Sequence, residues 1–261
     1  MYKINNLFEN DDIRISDAKA GMKVIEYMAD LSVMPSTAML AYYCSRMNVR
    51  KKQLVIELEG SEYTLSAGAM QWFVGNIESV ADVKGVGDFI GKAIKSGVTK
   101  ESTVKPKYKG TGTLVLEPTY KHILLEDISN WNGGMVLDDG LFLACESKIK
   151  QDVVMRSNLS SALLGNEGLF NLRVSGEGIV ALESPVPREE LVEIELQNDV
   201  IKIDGNYAIA WSDSLEFTVE KSSKSLIGSA ISSEGFVNVY RGTGKILMAP
   251  VRNIPVQTLG M

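Results

Sequence analysis

Apolar and polar residues alternate with a period of two along most of the chain. The alternation is clear at 54–59, 192–197 and 215–220, where Val, Ile, Leu or Phe alternates with mostly acidic or amide side chains. In a strand this period places one set of side chains on each face of the sheet. One apolar and one polar face is typical of antiparallel sheets, so the pattern predicts a mainly β fold.

Two short motifs recur along the chain at a nearly constant interval. A Gly-x-Gly motif followed by an apolar run begins at Gly110, Gly176 and Gly242, each 66 residues after the one before. An acidic residue precedes glycine at Gly60, Gly140 and Gly205. A fixed period indicates duplicated units stacked in a row or around an axis. Glycine accepts a positive φ, so we interpret Asp139-Gly140 and Asp204-Gly205 as hairpin turns.

The repeat divides the chain into a series of predicted segments. They are an N-terminal arm at 1–48 with a helix at about 35–48, β-unit 1 at 49–119, β-unit 2 at 120–186, β-unit 3 at 187–253 and a tail at 254–261. Units of roughly 65 residues bury little core alone. We therefore expect one shared compact body, in which three antiparallel β-sandwich units take a pseudo-threefold arrangement with a few short helices.

The helix predicted at about 35–48 departs from the β pattern. Leu40, Tyr43, Cys44 and Met47 fall at helical spacing behind a Pro-Ser-Thr start signal. We expect this amphipathic helix to cover an exposed edge or end of a sheet.

Unit 1 also contains a basic insert at 84–109. This range carries a net charge of +5, whereas the whole chain carries −6 and the remainder therefore −11. Charge separated in this way can orient a protein on an acidic partner or an anionic membrane. The alternative is a solvated loop whose lysines keep an edge strand from aggregating. The candidate interaction surface consists of Lys84, Lys92, Lys95, Lys105, Lys107 and Lys109.

Composition narrows the classes of function. The net charge of −6 weighs against nucleic-acid binding, because an acidic surface repels phosphates. The first residues lack the basic and apolar regions of a secretory signal. Only two cysteines are present, fewer than a disulfide framework normally uses. We therefore expect a cytoplasmic protein.

Residues for catalysis or metal binding are scarce. His122 is the single histidine, too few for the usual imidazole metal sites. The segment from Gly85 to Lys92 lacks the glycine spacing and the Ser or Thr of a phosphate-binding loop, and the chain has no Gly-x-Ser-x-Gly elbow. Adjacent acids in an extended strand point to opposite faces. We expect no enzymatic activity, no metal and no cofactor.

Several segments resemble one known family. They are Ala67–Trp72, Gly168–Leu172 followed by Ser175–Gly178, and Tyr240–Gly244. The chain resembles, from about 35 to 250, the bacterial relatives of the mitochondrial protein known for altered inheritance of mitochondria. The resemblance implies a fold similar to that of the tryptophan RNA-binding attenuation protein, with three units in one chain, and it supplies no catalytic residues.

Two functions from different classes follow from these observations. The leading hypothesis is a non-enzymatic scaffold or binding module with protein partners, with weak contact to an anionic membrane as a further expectation. The alternative is a small-molecule-binding protein or enzyme with a carboxylate site at a repeat junction. The oligomeric state stays open.

Overall fold

The computed structural model describes residues 2–29, 32–80, 105–155, 170–205, 207–221 and 236–251. Three of the predicted interaction-surface lysines, Lys84, Lys92 and Lys95, lie outside the described residues, as does the predicted tail at 254–261.

The described residues are mainly β-strand, as the alternating pattern predicted. They form one α-helix, α1 (Ala38–Arg46), and 3₁₀ turns at Ile128–Asn130 and Arg188–Glu190. The strands are β1 (Ile13–Lys19), β2 (Met22–Tyr27), β3 (Lys52–Leu65), β4 (Met70–Val80), β5 (Lys107–Leu116), β6 (His122–Asp127), β7 (Met135–Leu137), β8 (Phe142–Glu146), β9 (Lys150–Met155), β10 (Phe170–Ser175), β11 (Ile179–Ser184), β12 (Val192–Asp204), β13 (Ala208–Ser212), β14 (Glu216–Lys221) and β15 (Phe236–Met248).

The strands form two antiparallel sheets. The first has the order β1-β2-β3-β8-β11-β6, and β5 pairs with both β3 and β4 beside this path. The second has the order β12-β15-β13-β7-β10-β9, with β14 also paired to β15. The hairpin of β1 and β2 lies within the predicted arm, yet β2 pairs with β3 along Met22–Glu26. The reason is that β2 is apolar on both faces, since Met22 and Val24 are buried in one cluster and Ile25 in another.

Strand pairs separated by 66 residues share one register. Lys150 pairs with Ser175, and Glu216 pairs with Arg241. In the first sheet Glu78 pairs with Lys109, which lies 66 residues before Ser175. A second set of pairs repeats at the same interval, because Phe73 pairs with Leu114 between β4 and β5, Cys145 with Val180 between β8 and β11, and Trp211 with Ile246 between β13 and β15.

The repeated glycines have positive φ, but the turns between strands differ from the prediction. Gly110, Gly176 and Gly242 have φ of 140°, 105° and 123°. Gly140 and Gly205 also have positive φ, but the strands before and after each do not pair with each other, so the hairpin interpretation was wrong. β7 and β8 belong to different sheets, and β12 and β13 pair with opposite sides of β15. Side-chain alternation cannot reveal this, because it does not specify a strand's neighbours.

The hydrophobic core consists of clusters formed by side chains of one sheet and of a cluster formed by side chains of both sheets. One cluster joins side chains of both sheets, among them Phe142 and Leu182 of the first and Leu137 and Leu247 of the second. Two further clusters belong mostly to one sheet each, with Leu54 and Leu114 in one and Trp211 and Tyr240 in the other. This packing leaves a cleft where β1, β6 and the turn at Arg188–Glu190 approach one another.

Candidate functional site

The described part of the predicted lysine surface lies at β5 rather than on a loop. Lys107 is on β5, 3.7 Å from the Glu62 carboxylate, and Lys109 follows on the same strand. β5 pairs with β3 on one side and β4 on the other, so these lysines do not protect an edge strand. Lys105 precedes the strand, with its ammonium 4.7 Å from the centre of the Phe142 ring. The described residues of the predicted surface, Lys105, Lys107 and Lys109, therefore lie on or just before β5.

A polar cleft of about 830 Å³ lies where the predicted units meet. Its lining includes Lys52 from the unit 1 range, His122 and Glu126 from the unit 2 range and Arg188 from the unit 3 range, together with Arg14 of β1. Its volume falls in the range of small-molecule sites. The lining thus draws on all three predicted unit ranges and on the predicted N-terminal arm.

Glu26 is the buried carboxylate at the floor of the cleft. It is 2% exposed, and its oxygens accept hydrogen bonds from Arg14 at 2.5 Å and Arg50 at 3.3 Å. The Lys52 ammonium is 4.0 Å from the same carboxylate. Burial alone would raise the pKa of Glu26, but the hydrogen bond and charge of Arg14, with help from Lys52 and Arg50, lower it instead. The surroundings of Glu26 are thus dominated by cations rather than by the carboxylates that the alternative hypothesis expected.

Lys52 is the most enclosed cation of this group. Its side chain is 6% exposed, and its ammonium donates a hydrogen bond to the Arg50 carbonyl at 3.2 Å. This is its only hydrogen bond within the described residues, although an ammonium has three donors. Burial lowers the pKa of Lys52, and Arg50 and Arg14 lower it further, while Glu26 acts in the opposite direction.

His122 lines the same cleft from the first residue of β6. Burial lowers the pKa of its imidazole, and the positive charge of Lys52 adds to this effect, against the weaker influence of Glu189 and Glu26. Both effects favour the neutral form of the ring. Its nitrogens make no hydrogen bond to any other described residue, so they remain available to a ligand.

The rim of the cleft carries paired charges. Arg188 donates to Glu126 at 2.9 Å, and Lys19 lies 3.8 Å from Asp17 and donates to the Leu125 carbonyl. These ion pairs fix the side chains of β1, β6 and the Arg188 turn relative to one another. The floor and the rim therefore differ, because the rim is close to neutral whereas the floor carries excess positive charge.

A second candidate surface is formed by α1, whose apolar residues face outward. Of the stripe predicted to cover a sheet, Leu40, Tyr43 and Met47 are 59%, 61% and 78% exposed, and Cys44 is half-buried. No residue of α1 is buried. The prediction of the helix was correct within its range, but the prediction that it covers a sheet edge was wrong. Cys44 and Ser45 face the body, and the Ser45 hydroxyl donates to the Met28 carbonyl at 3.2 Å.

The apolar residues on and beside α1 form one large surface, which we call the α1 surface. Its large side chains are Met34, Met39, Leu40, Tyr42, Tyr43, Met47, Val49 and Tyr120, with exposures from 46% to 78%. At roughly 200 Å² for each such side chain, the exposed apolar area is roughly 1,000 Å², above the 300–600 Å² of the largest patch on a typical monomer. An adjoining groove of about 670 Å³ carries Arg50 and Lys51 as its charged lining, with no carboxylate among its described lining residues.

Metal sites and membrane spans were also considered. In the described ranges no three His, Cys, Asp or Glu side chains lie close enough together to hold a metal ion. No helix there combines the length and the apolar character needed to span a membrane.

Sequence reasoning did not identify the cleft. Arg14, Glu26, Lys52 and His122 are far apart in the sequence and belong to no motif. One signal was present at Glu26, which lies within the mostly apolar segment that became the buried strand β2. Lys52 gave no such signal, because it follows Arg50 and Lys51 in the sequence and begins β3. A charge inside an apolar strand indicates a partner or a site, but it does not say which residue the partner is.

Comparison with known proteins supports the family expected from the motifs. The family model described as mitochondrial biogenesis AIM24 matches residues 46–251. The X-ray crystal structure of a Streptococcus pyogenes protein is similar, with a TM-score of 0.56 and 24% identity over 79% of this chain and 90% of that chain. At this identity the likeness shows the fold alone. A comparison with curated proteins finds no match. The matched range includes Lys52 and His122 but starts at the last residue of α1.

Proposed function

This chain belongs to the mitochondrial biogenesis AIM24 family, and on this premise we propose that it is a non-enzymatic scaffold or binding module for protein partners. The observation that carries the proposal is the outward-facing apolar stripe of α1. An exposed apolar area of roughly 1,000 Å² is comparable to one side of a standard protein–protein interface. Water contact with such an area is unfavourable, so covering it provides binding free energy.

The charges beside the α1 surface indicate the chemistry of the partner. Arg46 lies on α1 with its guanidinium 5.4 Å from the Tyr42 ring centre, and Arg50 and Lys51 line the adjoining groove. A segment that combines apolar side chains with carboxylates complements this arrangement. We propose an acidic amphipathic segment of another protein as the occupant, docked as helices dock in apolar grooves.

The architecture that presents these surfaces is part of the same proposal. We propose that three β-units lie in a pseudo-threefold arrangement. The shared register at 66-residue intervals supports this, as does the positive φ at Gly110, Gly176 and Gly242. We propose the cytoplasm as the compartment, on the basis of composition.

The test compares a variant of the α1 stripe with a matched control. Leu40, Tyr43 and Met47 are changed to serine in one variant, and Val153, Val192 and Val200, which are 46%, 41% and 46% exposed, in the other. A photo-crosslinking residue at Met39 identifies the partner and the bound segment in cells. The purified partner is then titrated against wild-type protein and both variants.

We expect the crosslinked segment to be acidic and amphipathic, and the α1 variant to bind at least about 100-fold more weakly, since three apolar anchors each contribute on the order of 1 kcal/mol or more. The control should bind like the wild type. Equal affinity of the α1 variant and the control would contradict the proposal.

A small-molecule-binding function is favoured by a separate observation. The polar cleft lies at the junction of the three predicted units and holds enclosed, electrostatically perturbed groups. Such groups in a cleft are candidates for a functional site.

A further inference from the structure

Glu26 at the floor of the polar cleft is surrounded by three cations, of which Arg14 and Lys52 line the cleft and Arg50 lines the groove beside α1. Arg14, Arg50 and Lys52 all lie within 4.0 Å of Glu26, and Glu26 is the only acid paired with them in the described residues. The cluster therefore carries an excess of two positive charges. Lys52 is the enclosed cation among the three, and an enclosed charge is normally matched by charge of the opposite sign, because isolated buried ions are costly.

The unmatched hydrogen-bond donors face the same space. The enclosed Lys52 ammonium uses one of its three donors, and the only described group that Arg14 donates to is Glu26. His122 adds a ring whose neutral form is favoured and which has no described hydrogen-bond partner. All three side chains line the cleft. Donors placed in this way fit an anionic ligand that offers several oxygens.

We propose that the floor of the polar cleft binds a phosphate monoester dianion, held by the Lys52 ammonium, the Arg14 guanidinium and the His122 ring. A dianion matches the excess charge, whereas a carboxylate matches half of it. Phosphate oxygens also accept the parallel hydrogen bonds that a guanidinium offers. The cleft volume of about 830 Å³ leaves room for the organic part of a small metabolite.

The rim narrows the class of ligand further. Asp17, Glu126 and Glu189 line the cleft, and the first two are paired with Lys19 and Arg188. Lys19, Arg188 and Lys245 line the cleft as well, so the rim is close to neutral and adds little attraction for a second anionic group. The site therefore suits a ligand with a single phosphate group and neutral polar groups, rather than a polyphosphate or a nucleic-acid chain.

The single histidine makes this proposal directly measurable. NMR follows the His122 ring through a pH titration in saturating inorganic phosphate and in sodium chloride of equal ionic strength. A bound dianion stabilises the protonated ring, so phosphate should raise the His122 pKa by about one unit or more, as a charge within 4–6 Å does. The shift should saturate with phosphate concentration, and acetate should produce a clearly smaller one.

Variants distinguish phosphate bound in the cleft from a general electrostatic effect on the His122 pKa. In Lys52→Met the His122 pKa should rise in the free protein, because a neighbouring positive charge is lost, and phosphate should no longer raise it. Arg14→Gln changes a half-exposed side chain and should weaken phosphate binding at least tenfold without unfolding the protein. The matched control is Lys202→Gln on β12, an exposed ion-paired lysine outside the cleft, which should respond like the wild type.

Three results would overturn the proposal. The first is an equal response to phosphate and chloride, and the second is an undiminished phosphate response in both cleft variants. The third concerns the source of the phosphate group. If vesicles containing phosphatidic acid shift the His122 pKa and soluble glycerol phosphate does not, the site binds a lipid headgroup instead of a metabolite. None of these results depends on a protein partner at the α1 surface.

Discussion

Replacing Glu26 with glutamine removes the one carboxylate that holds three cations together. Glu26 is 2% exposed, and the Lys52 side chain is 6% exposed. Removing one member of a buried ion pair leaves the other charge unmatched, which typically costs 3–5 kcal/mol. We expect Glu26→Gln to lower the free energy of unfolding by about 3–4 kcal/mol at pH 7, because the enclosed charge of Lys52 loses its partner.

The magnitude depends on how each cation can respond. Arg14 is 56% exposed and Arg50 is 18% exposed, so these guanidinium groups can turn toward water. Lys52 is too enclosed to do so and must stay charged without its partner or lose its proton. Losing a proton at pH 7 from a lysine with an ordinary pKa costs about 4.6 kcal/mol, an upper limit on the loss. Burial already lowers the pKa of Lys52 in the native protein, so the loss is smaller than this limit.

The assay is urea denaturation at pH 7, followed by circular dichroism. The double variant Glu26→Gln with Lys52→Met should recover most of the lost stability, because it removes the unmatched charge as well. Glu57→Gln is the control, since Glu57 makes a 2.6 Å ion pair with Lys23 on the exposed surface. It should cost at most about 1 kcal/mol. A loss below 1 kcal/mol in Glu26→Gln, or no recovery in the double variant, would refute the reasoning.

The pH dependence gives an independent check on the same residue. The pKa of Glu26 is lower in the folded protein than its ordinary value. A lowered pKa stabilises the fold above the unfolded-state pKa, and this stabilisation is lost as the pH falls through the folded-state pKa. The wild type should therefore lose stability on acidification below about pH 5. Glu26→Gln should lack this part of the loss, which acid-induced unfolding measures.

Two further predictions concern thiol reactivity and the close packing of a glycine. Burial raises the pKa of Cys145 to about 12, so a thiol reagent at pH 8 should modify the half-buried Cys44 in native protein and both thiols after unfolding; prompt native labelling at Cys145 would be inconsistent with its burial. In Gly110→Ala the new Cβ would lie 2.0 Å from the Asn76 carbonyl oxygen, and we expect a loss of about 3 kcal/mol or more from strain and overpacking. Gly60→Ala meets nothing within 4 Å and should cost only about 1–2 kcal/mol for its positive φ; equal losses in thermal denaturation would argue against the close approach.

Some elements were predictable because their signals are local. Alternation along 54–59 predicted the segment that became β3, and helical spacing at Leu40, Tyr43 and Met47 predicted α1. The direction in which that apolar stripe faces was not predictable. Helical periodicity shows that the apolar residues lie on one side of the helix. Which side of the helix is covered depends on the strands that pack beneath α1. Here the small face with Cys44 and Ser45 packs against the body, and the stripe stays exposed.

The sequence by itself determined the mainly β character of this protein, the positive-φ glycines of its repeat and its membership of the AIM24 family. Each of these depends on short stretches of sequence, because side-chain alternation and the backbone freedom of glycine are properties of a few neighbouring residues. Only the tertiary structure decided which strands pair, and pairing is what brings Arg14, Lys52 and His122 to one cleft. Alternation assigns a residue to a face but not to a neighbour, so a site assembled from three distant strands leaves no motif in the sequence.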